Sequence, residues 1–296
     1  MSSRARGGRW LGPALVAPAF AYIALLVGLP ALLSLFLSVS DARVGSDEIR
    51  FVGLANFAEA VRTPSFRAAL AHSFLFTLAS QLLVIAGATL LALSLKEAFR
   101  GRGLVRFLVL LPWVAPISLG AIGWKWLLDS IYSVFNWALA AAHLVDPMNP
   151  PMWLGEPRLA MLSVVLVHTW RTLPFATVVL LAGLTSIPRD IPEAAAVDGG
   201  GFWRTHFTIT LPMIRPILLV ALLFGVVFTF TDMTAVYILT RGGPADATQV
   251  LPSLAFFTGI LGGDLSGGAA ISLFLLPLLL AGAIVLLRIA RRTEVT

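Results

Sequence analysis

Arg171 and Asp232 stand in otherwise apolar sequence, and the chemistry open to such a pair is binding or ion pairing rather than bond making. Even on insertion scales a charged side chain within hydrocarbon costs about 2.5–3.5 kcal/mol, so Arg171 has to face protein or water. Two readings stand: Arg171 and Asp232 pair with each other, or with helix-end carbonyls, and hold helices together, or they contact a polar ligand. The reagents for other chemistry are missing. There is no cysteine, hence no disulfide, thiolate metal site or cysteine nucleophile. His72, His143, His168 and His206 are widely separated, without i, i+4 or HExxH spacing, which points to lone polar roles and no metal. Neither Lys96 nor Lys125 follows a glycine, so no phosphate-cradling P-loop is present and any ATP must be bound by another chain. No carboxylates or histidines cluster as a membrane-embedded enzyme would need.

The elements that must position these residues are membrane helices. Of 296 residues, 58% are hydrophobic and 12% charged, against roughly 45–50% and 25% for a soluble domain. Apolar runs of about 20 residues match the ~30 Å hydrocarbon core. The runs predict an all-α chain with six spans, at about Leu11 to Ser38, Ser73 to Leu95, Leu104 to Leu127, Leu159 to Leu184, Ile214 to Leu239 and Ala269 to Ile289. The first run is longer than a signal-peptide core and lacks an evident cleavage site, so it reads as a retained helix behind a tail over residues 1–10, with residues 11–296 as a single membrane domain.

Charge sets the expected orientation. With both termini cytoplasmic, the inner segments hold Arg4, Arg6, Arg9, Lys96, Arg100, Arg102, Arg106, Arg189, Arg204, Arg215, Arg288, Arg291 and Arg292 against Glu97, Asp190, Glu193, Asp198 and Glu294. The segment from Lys96 to Arg106 is the clearest vote. The net charge of +6 is thereby explained by topology, with no nucleic acid partner. Two long outer loops, Asp41 to about His72 and Asp129 to Arg158, should fold against helix ends. No repeat between the two halves is visible, which disfavours an inverted-repeat, ion-coupled secondary transporter.

The inner loop over residues 186–216 reads as two short helices split by glycine. Asp190 can cap the first, with Glu193 reaching back, Pro192 in the first turn and Ala194 to Ala196 strongly helix-forming. Gly199, Gly200 and Gly201 stop it. Phe202, Trp203 and Phe207 then anchor a second amphipathic segment until Leu211-Pro212 turns the chain back toward the membrane.

Glu193-Ala194-Ala195, Gly199, Ile209 and Leu211-Pro212, at this spacing, resemble the cytoplasmic loop of binding-protein-dependent ABC importer permeases. The resemblance implies the type I importer permease fold in a prokaryotic inner membrane, and a loop over residues 190–212 that docks on a cytoplasmic ATPase. Glu193, Ala194, Ala195, Asp198, Gly199, Phe207, Ile209, Leu211 and Pro212 would form the contact, with Glu193 facing a basic residue of the ATPase. Asp198-Gly199 is the form usual in the carbohydrate-uptake branch. Tyr237-Ile-Leu-Thr240-Arg-Gly242-Gly243-Pro244 with Thr248, Phe51-Val-Gly-Leu-Ala-Asn-Phe57 and Trp170-Arg171-Thr172-Leu-Pro174-Phe175 resemble segments of maltose-type and glycerol-3-phosphate-type first permeases. Gly200 stands where that branch usually has alanine, which implies a looser turn.

By the same resemblance, solute contacts fall on Trp170, Arg171, Thr172, Phe175, Phe228, Thr229 and Asp232. Aromatic faces suit the apolar face of a pyranose, and a few charged or hydroxyl groups suit its rim. Arg171 also suits a phosphate, which keeps glycerol phosphates open beside sugars, and iron and polyamine permeases are nearby alternatives. The implied partners are a second, different permease, two ATPase subunits that bind ATP and Mg, an extracellular solute-binding protein or lipoprotein, membrane lipid and a small-molecule solute. This chain would carry no cofactor and no catalytic residue.

Overall fold

A computed structural model describes residues 8–293, with side chains for residues 12–291. The charges of Arg4, Arg6, Arg9, Arg292 and Glu294, which contribute to the expected orientation, lie outside the described side chains, and the expected tail is described only from residue 8. Among the described residues the chain is all-α, and extended pairing is confined to one bridge between Ser40 and Phe51. In chain order the helices are α1 Gly12–Ser38, α2 Ala55–Arg62, α3 Pro64–Lys96, α4 Arg102–Val114, α5 Ile117–Leu127, α6 Val134–Ala141, α7 Pro157–Ser186, α8 Asp190–Val197, α9 Phe202–Thr205, α10 Leu211–Thr231, α11 Thr234–Leu239, α12 Leu251–Leu261, α13 Leu265–Leu273 and α14 Leu275–Thr293. Among the described residues, five helical stretches, α1, α3, α7, Phe202–Leu239 and Leu265–Arg291, are long and apolar enough to cross a membrane.

The third expected span departs from a straight helix. α4 and α5 meet at 97° across Ala115 and Pro116. Pro116 offers no N–H and its ring pushes Ala115 out of the helical region, to φ −64° and ψ 142°, so the apolar run breaks where a composition window sees continuity. The apolar α12, between the fifth and sixth runs, is too short to have been counted as a span.

The described residues form two compact units. One holds the chain up to Thr63 with Ala255–Phe274, and the other holds Pro64–Leu254 with the chain from Leu275 onward. In the first unit, α1 packs on α13. Asn56, from the Phe51–Phe57 motif, donates its amide to Ser38 O at 2.9 Å and Ser40 O at 2.7 Å, tying off the carbonyl end of α1. Gly53 takes φ +62°, a conformation open to glycine, so both Gly53 and Asn56 have local structural work.

In the second unit α3 and α7 make the central helix pair. Ala88 and Ala92 on α3 and Ala176 and Leu180 on α7 are buried, and small residues at such a crossing let backbones approach. Gly87 and Gly183 are filled by neighbours: a Cβ would meet Leu173 Cδ1 at 2.7 Å and Ile217 Cδ1 at 3.0 Å. A second cluster, including Phe76, Met161, Val164, Val236 and Leu239, packs the other half of the pair against α11. Within α3, Ser73, Thr77, Ser80 and Gln81 lie on the buried face, so these four polar groups look inward. After α5 the chain turns on Asp129, whose carboxylate accepts the Ile131 and Tyr132 N–H groups at 2.8 and 2.9 Å and is held below its ordinary pKa by them.

The Thr240–Thr248 motif closes a turn. Thr248, fully buried, donates its hydroxyl to Gly243 O at 2.8 Å and meets Thr240 Oγ1 at 2.7 Å. Gly242 has φ +87° and is covered by the Gln249 side chain, leaving no room for a Cβ.

Candidate functional site

The loop over residues 186–216 is built differently at its start and its end from the expectation. α8 begins at Asp190, preceded by a helical Arg189, and no side chain caps it, so Asp190 and Glu193 form no capping box. Because Arg189 is already helical, Asp190 lies inside the first turn; there Asp190 and Glu193 stabilise the positive end of the helix by position. The helix ends as anticipated at Gly199, φ +79°. Gly199 N–H bonds to Ala196 O at 3.1 Å and Gly200 N–H to Ala195 O at 2.8 Å, the paired closure of a Schellman motif. Only Gly199 of the three glycines takes a positive φ. Gly200 makes the turn tight rather than loose, because a Cβ there would stand 2.8 Å from Ala195 O and 2.9 Å from Thr205 Oγ1.

Leu211-Pro212 does not turn the chain. α9 runs through a widened π-turn over His206–Thr210 straight into α10, with helical backbone at Thr210 and Leu211. Pro212 has no N–H to give, and Leu211 N–H reaches back to His206 O instead. The same device precedes Pro30, where Leu29 N–H reaches Ala24 O. The platform is therefore one short helix, a tight glycine turn, and the projecting end of a long helix.

What this platform presents is an exposed apolar surface with acids beside it. Val197 is 88% exposed and Phe202, Trp203 and Phe207 are 63%, 55% and 60% exposed. Trp203 stacks on Phe207 at 6.0 Å, with His206 buried beside them. Glu193, Ala194, Asp198, Gly199 and Pro212 are exposed, Ile209 and Leu211 half-buried, and Ala195 buried against the loop. Glu193 forms no ion pair among the described residues. A contiguous exposed apolar surface of this kind is a candidate interaction surface.

The second constellation lies between α3, α7 and α10. Arg171 Nη1 donates to Asp232 Oδ2 at 2.8 Å, and His168 Nδ1 stands 3.3 Å from the same oxygen. Asp232 Oδ1 accepts Thr234 N–H at 2.7 Å, so the carboxylate also opens α11 after the interruption that follows α10. His168 Nε2 meets Thr229 Oγ1 at 2.9 Å, and Gln81 Nε2 donates to the same hydroxyl at 2.7 Å. Phe76 packs edge-on to the His168 ring at 4.9 Å. His168, Thr172 and Thr229 are buried, with Thr172 Oγ1 bonded to His168 O, whereas the side chain of Arg171 is 31% exposed and that of Asp232 11%. Arg171 is thus the member of this network with an open face, Asp232 is only marginally exposed, and Thr229 supports the pair through the His168 ring, while Thr172 is tied to the main chain of its own helix.

Around this network lie aromatic rings. Trp113, beside the α4–α5 break, stacks on Phe175 at 5.1 Å and 26°, and Phe228 meets Phe175 edge-on at 5.7 Å. Trp170 lies over Gly120, where a Cβ would be 3.4 Å from its ring, and meets Trp124 edge-on at 5.6 Å. A narrow cavity behind the break is lined by Pro116, Gly120, His168, Trp170 and Arg171. The arrangement offers one charged pair with an accessible edge, flat apolar rings, and no ligand set for a metal among the described residues.

Residues 84–295 match the family described as binding-protein-dependent transport system inner membrane component. The chain belongs to this family. It is therefore a permease subunit of an ABC importer, a non-catalytic inner membrane component with several apolar helices. The permease is 34% identical over 285 residues to the trehalose/maltose transport system permease protein MalF of Thermococcus litoralis, covering 95% of this chain and 94% of that one. It is 31% identical to the sn-glycerol-3-phosphate transport system permease protein UgpA of Yersinia pestis, over 96% and 95% of the two chains. In fold it resembles a chain in the crystal structure of a bacterial ABC transporter involved in the import of the acidic polysaccharide alginate, with TM-score 0.81, 21% identity and 96% of each chain covered.

Sequence reasoning about the permease passed over Gln81, Trp113, Trp124 and the connecting role of His168. A signal for Gln81 was present, since Ser73, Thr77, Ser80 and Gln81 recur at helical spacing in an apolar span. Trp113 gave none, because its neighbours follow from a bend that hydropathy does not register.

Proposed function

We propose that this permease translocates a sugar, a di- or oligosaccharide or related polyol derivative, and is driven through residues 190–212 by a separate ATPase. Glu193, Asp198, Gly199 and Phe207 form the exposed part of the ATPase contact, and Ala194, Ala195, Ile209, Leu211 and Pro212 shape it. Two ATPase subunits holding ATP and Mg, a second and different permease, and an extracellular solute-binding protein complete the machine. Both termini and the platform lie in the cytosol, as the excess of basic residues in the inner segments supports. Residues 11–296 work as one permease domain whose helices switch as bodies about that lever.

The observation that carries the reading is the platform itself: a Schellman-closed turn that presents Glu193 and three exposed aromatic rings at the end of a helix continuous with α10. A push on this end is transmitted along a rigid helix to Asp232 near its far end. The cargo class rests on Arg171 with its open edge and the Asp232 it pairs with, on Trp170, Phe175 and Phe228 beside them, and on the sugars named for the Thermococcus relative. Thr229 acts from behind, holding the His168 ring and through it Asp232, and Thr172 stands beside them bonded to the His168 carbonyl.

Glycerol phosphate is the second reading, favoured by the part-exposed guanidinium of Arg171 and by the Yersinia relative. Deleting this chain from its host should abolish uptake of labelled trehalose or maltose and leave uptake of sn-glycerol-3-phosphate and putrescine unchanged. A loss confined to glycerol-3-phosphate moves the assignment to the second reading, and a loss confined to putrescine removes the sugar assignment.

A further inference from the structure

Arg102 and Arg106 sit one helical turn apart at the start of α4 and fold back over the end of α3. Arg102 Nη1 donates to Glu97 O at 3.3 Å and lies 3.5 Å from Lys96 O, while Arg106 Nη2 donates to Leu95 O at 3.2 Å. The last carbonyls of a helix lack intrahelical partners, so two cations here are a sound local arrangement. Arg106 is not exhausted by it. Its Nε is buried with no partner among the described residues, and Arg106 is one of the residues that line a groove between α4 and α7. The walls of that groove are Leu95, Val109, Leu110, Val178 and Leu181. The two hydroxyls that reach it, Thr177 and Thr185, give their protons to carbonyls of their own helix, at Leu173 and at Leu181.

The groove is thus a long aliphatic surface with one cationic donor group at one end. A sugar would find no donors along its walls, and a small soluble anion would gain nothing from them. The surroundings add positive charge, because the connection carries Lys96, Arg100, Arg102 and Arg106 against Glu97 alone. We infer that this groove binds an anionic glycerophospholipid, its acyl chain along Val109, Leu110, Val178 and Leu181 and its phosphate on Arg106. In the orientation proposed above the site opens at the cytoplasmic leaflet, where an anionic headgroup meets basic residues at about 1 kcal/mol per contact.

The test is native mass spectrometry of the assembled transporter, released from detergent with added phosphatidylglycerol or phosphatidylcholine. Wild type should hold phosphatidylglycerol about fivefold better than phosphatidylcholine. Arg106→Gln should reduce the ratio to near one, Arg106→Lys should keep most of it, and Leu181→Trp should lower retention of both lipids by filling the groove. Leu181→Trp leaves the Arg106 bond to Leu95 O untouched, so it reports on the groove even if Arg106→Gln disturbs assembly. Equal phosphatidylglycerol retention in wild type, Arg106→Gln and Leu181→Trp would overturn the site. So would displacement by free glycerol-3-phosphate, which would make the ligand a soluble anion. Retention by the permease alone but not by the assembled complex would also overturn it, since the second permease would then cover the groove.

Discussion

Gly199→Leu is expected to leave the permease inserted and assembled while reducing binding-protein-stimulated ATP hydrolysis and uptake by at least about tenfold. The reason is conformational. Gly199 holds φ +79°, and nothing stands within 4 Å of a Cβ built there, so a larger side chain meets no clash and the cost is the left-handed backbone itself. That cost is roughly 1–2 kcal/mol for a residue with a Cβ. It falls on the turn that pairs Gly199 N–H with Ala196 O and Gly200 N–H with Ala195 O, and loosening it frees α8 from the end of the long helix. Gly199→Asn, which tolerates this backbone conformation far better, should retain most of the activity. Glu193→Lys should uncouple by a separate route: an exposed carboxylate with no ion pair among the described residues becomes a cation opposite the basic ATPase residue proposed to face it, and Glu193→Gln should be milder. ATPase stimulation measured in proteoliposomes checks all four variants. Undiminished transport by both Gly199→Leu and Glu193→Lys would sink the coupling role.

Asp232→Ala should have the largest effect on stability. Arg171 would then keep a charge inside the bundle with no counter-ion, and Thr234 N–H would lose its acceptor at the start of α11. Removing one partner of a buried pair costs about 3–5 kcal/mol, and the lower end applies because the Arg171 side chain is 31% exposed. The double variant Arg171→Met with Asp232→Leu separates the two roles. If the pair only braces the helices, the double variant should recover both thermal stability and uptake. If the pair also contacts the solute, as proposed, stability returns while uptake stays at least about tenfold down. Thermal unfolding of the purified complex and labelled-sugar uptake are the two readouts, and recovery of both would remove Arg171 and Asp232 from the solute path.

The helical class and the positions of most spans were legible in the sequence because a bilayer forces long apolar runs into helices. The break at Ala115–Pro116 was not, since hydropathy averages over the one residue pair that decides it. The platform was half legible. Gly199 could be assigned from residue type alone, but the direct passage of α9 into α10 depends on the π-turn ahead of Pro212, and proline by itself suggested a stop. The Arg171–Asp232 pair was one of two readings open to two charges in apolar sequence. His168, Thr229 and Gln81 were hidden, because separations of 61 and 148 residues become bonds only once α3, α7 and α10 pack. The motifs around Gly53, Asn56, Gly242 and Thr248 carry the family resemblance, and local physics accounts for them as helix-end and turn closures.

The central claim, that this permease imports solute under the drive of a separate ATPase docked on residues 190–212, is tested most directly by sugar uptake into proteoliposomes carrying the complete transporter. Uptake of labelled trehalose or maltose should require both ATP inside the vesicle-facing ATPase compartment and the solute-binding protein on the opposite side, and should be indifferent to collapse of the proton gradient. Uptake that persists without the ATPase and disappears when the proton gradient is collapsed would contradict the account.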